Sequence, residues 1–405
     1  MAGPAIIAER RPGAGQGSTV IAAGFLPILA IVSLFPAVPS IIDHFAGDAR
    51  AQWMVPAMVS APGFAIALIA PFAGILVDRF GRRRLLLLST LLYGFIGVVP
   101  FFLDNLNAIY ASRILLGVTE AAILTTLNTL IGDYWDDRGR RFWLALQGSV
   151  GPLLAAVMIF GAGYLTQVRW NGVFLIYLVA VPIWLAMVVY LYEPASDKTA
   201  RQMLGIDEPM SSSSFPWGAV LRIGVVTLFA AILYYVFIVN GGLAFREVGV
   251  QSSAQLGQIT AIPSLFVIAG AGIFWLVGKW RSDLQITTFL AFLGVGLAIM
   301  GAARDWHWMV AGLVIQQTGA GMSIPTLIAW AQKQLPFEHR GRGMGAWTAC
   351  FFFGQFASPL LVGFARSQLG SMQGAFLLAG VLAAMGALVA IALGLRRSSV
   401  TPSEA

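Results

Sequence analysis

Residues 74–84 read GILVDRFGRRR, and this stretch lies between two long apolar runs. Asp78 ends the first run, Gly81 provides a tight turn, and a basic cluster precedes the second run. Four of the six residues 79–84 are arginines. Short loops rich in Arg and Lys between membrane spans lie on the cytoplasmic side. The stretch therefore predicts two membrane helices joined by a cytoplasmic loop.

The composition is that of a membrane protein. The 405 residues are 58% hydrophobic and only 11% charged, with a mean hydropathy of +0.80. Soluble domains carry about 25% charged residues, so this chain has too few charges to cover a water-exposed surface. The net charge of +7 does not indicate nucleic-acid binding, because the basic residues fall in short loops between apolar runs. We expect contact with the lipid bilayer and not with nucleic acid.

Twelve apolar runs are long enough to cross a bilayer, which takes about 20 helical residues. The predicted spans are 20–42, 53–77, 85–103, 107–132, 143–166, 171–192, 217–241, 255–279, 285–303, 308–332, 343–366 and 373–395. The first run lacks a clear cleavage site and is interpreted as an uncleaved span. Only helices satisfy the backbone of such runs internally. The predicted fold class is an all-α membrane protein with 12 transmembrane helices.

The longest polar stretch divides these spans into two six-helix halves. The predicted segments are a cytoplasmic tail 1–19, a bundle 20–192, a flexible cytoplasmic linker 193–216, a second bundle 217–395 and a tail 396–405. Residues 77–80 precede the similar residues 277–280 by 200 positions, and 138–140 precede 340–342 by 202. A nearly constant offset predicts pseudo-symmetric halves, related by an axis along the membrane normal.

The basic residues also predict an orientation. With both termini in the cytoplasm, 19 of the 25 Lys and Arg residues lie inside, five lie outside, and Arg113 alone lies within a span. The positive-inside rule favours this arrangement. We predict a multi-pass protein of a bacterial cytoplasmic (inner) membrane with both termini inside.

The loop at 74–83 matches the pattern G-x-L-x-D-R-x-G-R-R, which resembles the signature loop between helices 2 and 3 of the major facilitator superfamily. The resemblance implies two six-helix bundles that bind a small-molecule substrate near the midplane and work by alternating access. It also implies an inner gate, in which the loop acid contacts the start of helix 11 and a neighbouring basic loop. The gate residues would be Asp78, Arg79, Gly81, Arg82, Arg138, Arg140, Arg141 and Arg340.

Two charges lie within the fourth predicted span. Arg113 and Glu120 are seven residues apart, about 10.5 Å along one helix face, and Gly117 lies between them. A charge in a span costs about 2.5–3.5 kcal/mol on insertion scales and usually faces the bundle interior or water. Burial disfavours an ionised carboxyl and a nearby cation favours it, so Glu120 is the candidate proton site. The segment also resembles the family's R-x-x-x-G motif in helix 4, whose Arg is linked to proton coupling.

Structural interpretations of the two charges stay open. Side chains tilt toward the helix N-terminus, so a direct Arg113–Glu120 ion pair would be strained. A water bridge or a partner on another helix fits better. Arg113 alternatively extends to the outer surface, and Glu120 alternatively makes a buried structural hydrogen bond.

Further polar and aromatic residues within the spans are candidates for lining the cavity. They are Asn128, Tyr234, Tyr235, Asn240, Gln316, Gln317, Trp347 and Gln355. Each polar side chain taken alone is more often an interhelical hydrogen bond than a ligand. In the fifth span, Gly151 and Pro152 resemble part of the antiporter signature G-x-x-x-G-P-x-x-G-G, although Gln147 replaces its first Gly. A generic packing motif explains these two residues equally well, so the direction of transport stays open.

These patterns predict a proton-coupled secondary transporter of a small organic molecule, and not an enzyme. The many aromatics and few buried charges favour export by proton antiport. Proton symport of an organic anion held by Arg113 is the alternative, and a membrane sensor is a third class. We expect a monomer without cofactors. A metal site is not expected, because the single Cys and the three His lie far apart.

Overall fold

The computed structural model describes residues 12–72, 79–135, 137–194, 215–336 and 339–399. Within these ranges the regular structure is helical, and no strand occurs. The N-terminal half contains α1 (Ala14–Val32), α2 (Val38–His44), α3 (Ala51–Ile69), α4 (Arg82–Val98), α5 (Leu106–Tyr134), α6 (Asp137–Val168) and α7 (Ala180–Tyr190). The C-terminal half contains α8 (Trp217–Glu247), α9 (Ser253–Ser264), α10 (Phe266–Leu276), α11 (Ser282–Gly301), α12 (Trp306–Gln334), α13 (Arg340–Leu369) and α14 (Met372–Ser399). Three short 3-10 segments, Phe35–Ala37, Val99–Phe102 and Gly172–Val179, adjoin these helices.

Eleven helical segments of the described ranges are long and apolar enough to cross a bilayer. The remaining predicted span corresponds to α12, which has 29 residues and is also long enough. Its adjacent glutamines, Gln316 and Gln317, lower its hydropathy, yet both are buried inside the bundle. All twelve predicted spans therefore correspond to helical segments.

Two spans that the sequence predicts as continuous are broken. The first is interrupted by the 3-10 turn Phe35–Ala37, which contains Pro36. The eighth is interrupted at Leu265, just after Pro263, where α9 gives way to α10. Proline has no N–H to donate, and its ring clashes with the carbonyl four residues before it. The first break has this cause, since α1 ends at Val32, four residues before Pro36. The second break follows Pro263 by two residues, and α9 continues through the proline to Ser264.

The boundaries of two other spans also differ from the prediction. The second span was predicted to reach residue 77. The helix α3 ends at Ile69 and is followed by a turn at 70–72, and residues 73–78 lie outside the described part of the chain. The sixth begins as the 3-10 segment Gly172–Val179 before it continues as α7. Most of the predicted linker 193–216 lies outside the described residues, so the linker stays a prediction.

The two halves pack closely along two helix crossings. Where α6 meets α9, a Cβ at Gly163 would lie 2.5 Å from the carbonyl oxygen of Ser253, and one at Gly257 would lie 2.9 Å from that of Ile159. Where α3 meets α13, a Cβ at Gly63 would lie 2.9 Å from the carbonyl oxygen of Phe352. Small residues let membrane helices approach to this distance. Glycine is therefore required at both crossings.

Polar contacts join the halves at one end of the bundle. They are Arg246–Asp43 (N···O 2.7 Å), Ser40–Ser253 (O···O 2.8 Å), Gln258–Tyr164 (2.5 Å), Arg366–Gln52 (3.3 Å) and Arg246 to the carbonyl of Pro39 (3.3 Å). All the side-chain hydrogen bonds between halves that involve only described residues lie at this end. The distribution of basic residues predicts that this end is the outer one. The halves are thus closed together at the predicted outer end.

Candidate functional site

Arg113 lies wholly inside the N-terminal half. Its side chain is 0% exposed, and its Nη1 donates a 2.9 Å hydrogen bond to the hydroxyl of Tyr177. Its Nη2 donates longer bonds, 3.4 and 3.3 Å, to the carbonyls of Ile96 and Gly97. The guanidinium also lies over the rings of Phe174 and Tyr177, at 5.2 and 5.0 Å from their centroids. The alternative in which Arg113 extends to the outer surface does not hold in this structure.

Two buried tyrosines connect this arginine to α1. Tyr177 donates to the carbonyl of Ala30 at 3.3 Å, and Tyr93 of α4 donates to the carbonyl of Leu26 at 2.5 Å. The two rings are neighbours, with centroids 5.4 Å apart. Neither tyrosine was among the residues predicted from the sequence, although a Tyr near the middle of an apolar span requires a partner for its hydroxyl. Through Tyr177, the position of α1 is coupled to the charge on α5.

Glu120 lies two turns further along α5 and is 1% exposed. Its carboxyl makes no hydrogen bond or ion pair with any described residue, and its Oε1 is fully buried. No ion pair with Arg113 forms, which agrees with the strained geometry expected from the sequence. Glu120 is therefore an acid enclosed within the bundle without a polar partner among the described residues.

Gly117 has a packing role in this structure. A Cβ at this position would lie 2.4 Å from the carbonyl oxygen of Pro62 and 2.8 Å from the Cβ of Ala65. The glycine therefore allows α5 to cross α3 closely. It fixes the position of the helix that carries Arg113 and Glu120.

Several aromatic side chains of the C-terminal half form a cluster. Trp347 and Phe351 of α13 are stacked with centroids 5.3 Å apart, and Phe351 contacts Tyr235 at 5.6 Å. Tyr234 meets Tyr235 edge-on at 4.8 Å. The Nε1 of Trp347 is buried without a hydrogen-bond partner among the described residues. The structure thus brings the sequence-predicted residues Tyr234, Tyr235 and Trp347 together around Phe351.

Two buried amide side chains of the C-terminal half, Gln355 and Gln316, lie in different parts of the bundle. Gln355 is 0% exposed, and neither amide atom has a partner in the described chain. Its Cδ would lie 2.8 Å from a Cβ at Gly63, so it lies at the α3–α13 crossing between the halves. Gln316 packs against Gly296 of α11 instead. Buried polar atoms are normally hydrogen-bonded, so Gln355 is the amide best placed to meet a ligand.

Three other cavity candidates lie in different surroundings. Asn240 donates to the carbonyl of Val236 in its own helix, and its Oδ1 is buried without a partner in the described ranges. Gln317 also has a buried, unpartnered Oε1 within those ranges. Asn128 is exposed. Among the described residues, no hydrogen bond joins any of these three side chains to Glu120.

The signature loop is held by two acids that the sequence analysis missed. Glu193, beyond the end of α7, accepts from the backbone N–H of Arg82 at 2.7 Å and of Arg83 at 2.8 Å. This carboxylate caps the N-terminus of α4, where an anion is favoured. Asp133 of α5 pairs with Arg82 at 3.0 Å. An acid at the Arg-rich end of an apolar span is the sequence signal that would have found both residues.

The predicted inner gate is only partly described. Asp78 lies outside the described residues, and so do the side chains of Arg138, Arg140, Arg141 and Arg340. Arg79 is exposed, with its guanidinium 5.9 Å from the centroid of the Phe80 ring. The gate therefore stays a prediction.

Gly81 adopts a backbone conformation that disfavours other residues, with φ +80°. A Cβ there would also lie 3.1 Å from Oε1 of Glu193. We expect Gly81→Ala to destabilise the loop by about 1–3 kcal/mol, the usual cost of such a conformation. A lower thermal unfolding midpoint of the purified protein would show this. Gly47→Ala is the matched control, since a Cβ there meets nothing within 4 Å, and equal midpoints for both variants would contradict the expectation.

The fifth-span motif packs more loosely than its sequence suggests. A Cβ at Gly151 would meet only the Cδ1 of Ile28, at 4.0 Å, and Pro152 lies inside α6. The close approach of α6 occurs instead at Gly163.

Within the described ranges, no group of three or more His, Cys, Asp or Glu side chains is arranged to hold a metal ion.

The sequence and fold agree with one family along almost all of the chain. The family model described as Major Facilitator Superfamily matches residues 20–303 and 284–405. The chain belongs to the major facilitator superfamily. This confirms the resemblance of residues 74–83 and the predicted fold class. The activity that membership supports is transport across a membrane.

The chain is similar to known transport and resistance proteins in sequence, and to a solved transporter in fold. The chain is 27% identical to the tetracycline resistance protein, class C, of Escherichia coli, over 73% of this chain and 75% of that protein. It is 30% identical to the efflux pump dotC of Dothistroma septosporum over 38% of this chain, and it spans only 26% of that pump's length. The crystal structure of the nucleoside transporter NupG superposes with a TM-score of 0.72 at 11% identity, covering 93% of this chain and 99% of NupG. At that identity the likeness shows the fold alone.

Proposed function

We propose that this transporter exports a small amphipathic or aromatic molecule in exchange for protons. The observation that carries the proposal is Glu120, an acid buried to 1% exposure with no polar partner among the described residues. An uncompensated buried carboxylate is costly, so such a group favours binding a proton when it is enclosed. The efflux and resistance activities named for two relatives support export.

The proposed cycle alternates between two charge states of Glu120. When the outer end is open, Glu120 takes up a proton, and the neutral side chain is then enclosed as the halves close. When the inner end is open, the proton leaves, and the molecule to be exported occupies the region beside the aromatic cluster. One bundle rocks against the other between these states. In this cycle, one proton carried by Glu120 enters for each molecule that is exported.

The surroundings of Arg113 favour antiport over symport of an organic anion. A symporter of this kind would present the guanidinium to the carboxylate of its substrate. Here the guanidinium already binds Tyr177 and two backbone carbonyls inside one half. We propose that Arg113 instead supplies a fixed positive potential that tunes proton release from Glu120.

The inner gate is a further part of the proposal. Asp78 and Arg79, with Arg138, Arg140, Arg141 and Arg340, would close the inner end when the outer end opens. The capping of α4 by Glu193 and the Arg82–Asp133 pair support it, because they hold the loop that carries Arg79 in place.

Proton flux in proteoliposomes tests the proposed function. Addition of candidate aromatic compounds to one side is expected to drive protons in the direction opposite to the compound. Movement of both in the same direction would overturn antiport in favour of symport. Compound transport without proton movement would overturn proton coupling altogether.

Alternating access predicts the effect of locking the outer end. Ser40 and Ser253 place their hydroxyl oxygens 2.8 Å apart across the halves, so Ser40→Cys with Ser253→Cys is expected to form a disulfide on oxidation. Both are made in a Cys350→Ser background, which removes the single native cysteine. Transport should stop on oxidation and return on reduction. Unchanged transport by the oxidised, cross-linked protein would contradict rocking of the halves, and each single Cys variant serves as control.

A further inference from the structure

A crevice between helices of the C-terminal half lies apart from the proposed transport site. Its volume is about 770 Å³, and it runs between α8, α11, α12 and α14. Neither the α3–α13 crossing nor the α6–α9 crossing contributes to its walls. A molecule passing between the halves would not traverse it. The crevice therefore needs a different occupant.

The walls of the crevice are apolar and accessible. Val225 of α8 and Val389 of α14 are 60% and 57% exposed, and Phe229, Leu290 and Met385 continue the apolar surface. Along the crevice, helices α8 and α14 approach closely, since a Cβ at Gly386 of α14 would lie 2.6 Å from the ring of Phe229 of α8. Exposed apolar side chains within spans face acyl chains. The crevice is therefore open to the hydrocarbon region.

The rim of the crevice is basic. Arg222, Arg281 and Lys333 line it together with one acid, Asp283. Arg281 pairs with Asp283 at 3.2 Å. The one described hydrogen bond of Arg222 is a long one, 3.5 Å, to Oε1 of Gln334. The cations outnumber the acid by three to one, so the rim attracts anions.

The three cations share one membrane level. Arg222 lies near the start of α8, Lys333 in the last turn of α12, and Arg281 directly before α11. All three lie at the predicted inner end. The cytoplasmic leaflet carries anionic lipids, and basic pockets between membrane helices on that side bind their head groups. A basic rim above an apolar crevice matches the two parts of such a lipid.

We propose that this crevice binds an anionic phospholipid of the inner leaflet. Its phosphate contacts Arg222 and Lys333, and one acyl chain lies along Val225, Phe229 and Val389. The lipid thereby joins α8 and α12 to α14 on the side away from the other half. The proposed lipid site does not depend on the direction of transport.

Lipid binding to the purified full-length protein in detergent tests this site. Native mass spectrometry would follow retention of added dioleoyl phosphatidylglycerol, with dioleoyl phosphatidylcholine and inorganic phosphate as separate arms. We expect saturable binding of phosphatidylglycerol. Arg222→Gln with Lys333→Gln should weaken it about 30-fold, as expected for two lost basic contacts. Equal binding of phosphatidylcholine would overturn the proposal, and so would full competition by inorganic phosphate alone.

A charge-matched control separates the crevice from general surface charge. Lys279→Gln with Arg304→Gln removes two exposed cations of the same half that do not line the crevice, and it should leave binding unchanged. Val389→Trp fills the apolar wall without changing charge and should also weaken binding. This second variant keeps the test decisive if the Arg222–Lys333 double variant does not fold. Binding unaffected by Val389→Trp, or weakened equally by the control pair, would overturn the proposal.

Discussion

Glu120→Gln is expected to abolish compound-driven proton movement, reducing it to the level of protein-free liposomes. Gln has nearly the same shape as a protonated Glu but cannot bind or release a proton. The carboxyl has no polar partner among the described residues, so the substitution breaks no ion pair. We expect the thermal unfolding midpoint to stay the same or to rise, because a costly buried ionisable group is removed. Proton flux and unfolding of the purified variant are the two measurements.

The control for this prediction is another Glu→Gln change with the same loss of charge. Glu404→Gln lies in the predicted cytoplasmic tail, and it should leave proton flux unchanged. Equal fluxes in wild type and Glu120→Gln would remove Glu120 from the mechanism. Loss of flux together with a much lower unfolding midpoint would instead assign Glu120 a structural role.

Gly163→Leu is expected to prevent closure of the outer end and to stop transport. A Cβ at this position would lie 2.5 Å from the carbonyl oxygen of Ser253, which belongs to the backbone of the other half. Overpacking of this kind costs about 1–3 kcal/mol, and this cost falls only on conformations in which α6 and α9 touch. A difference of that size shifts the equilibrium about 5- to 150-fold toward the outward-open state.

Cysteine labelling measures that shift directly. With Ser40→Cys in a Cys350→Ser background, the rate of maleimide labelling should rise in Gly163→Leu. Gly161→Leu is the matched control, because a Cβ at Gly161 meets nothing within 4 Å on the same helix. It should label at the rate of the parent and retain transport. Equal labelling rates in the two Leu variants would show that the crossing does not govern outer closure.

The membrane fold was predictable because hydropathy is a local property. Each span is long enough to satisfy its own backbone hydrogen bonds, so its existence does not depend on its neighbours. The breaks at Pro36 and Pro263 were not predicted, since whether a proline kinks a span or ends it depends on the surrounding helices. Residues 74–83 identified the family because their pattern combines turn, charge and spacing.

The candidate site was predictable only in part. Arg113 and Glu120 were found because charges within spans are rare. Their separate environments were not predicted, because Tyr177 lies 64 residues from Arg113 along the chain. Glu193, which caps α4 from more than 100 residues away, was missed for the same reason. Gly117 was grouped with the two charges by helical spacing, and the packing of α5 against α3 gives it a different role.

The sequence by itself determined the spans, their predicted orientation and the family, since these follow from the composition and order of residues near each other in the chain. The tertiary structure alone decided which polar groups meet. It joined Arg113 to Tyr177, capped α4 with Glu193, and closed the halves where Gly163 meets Ser253. These contacts join residues far apart in sequence. They depend on how two bundles pack, and no local pattern of residues encodes that geometry.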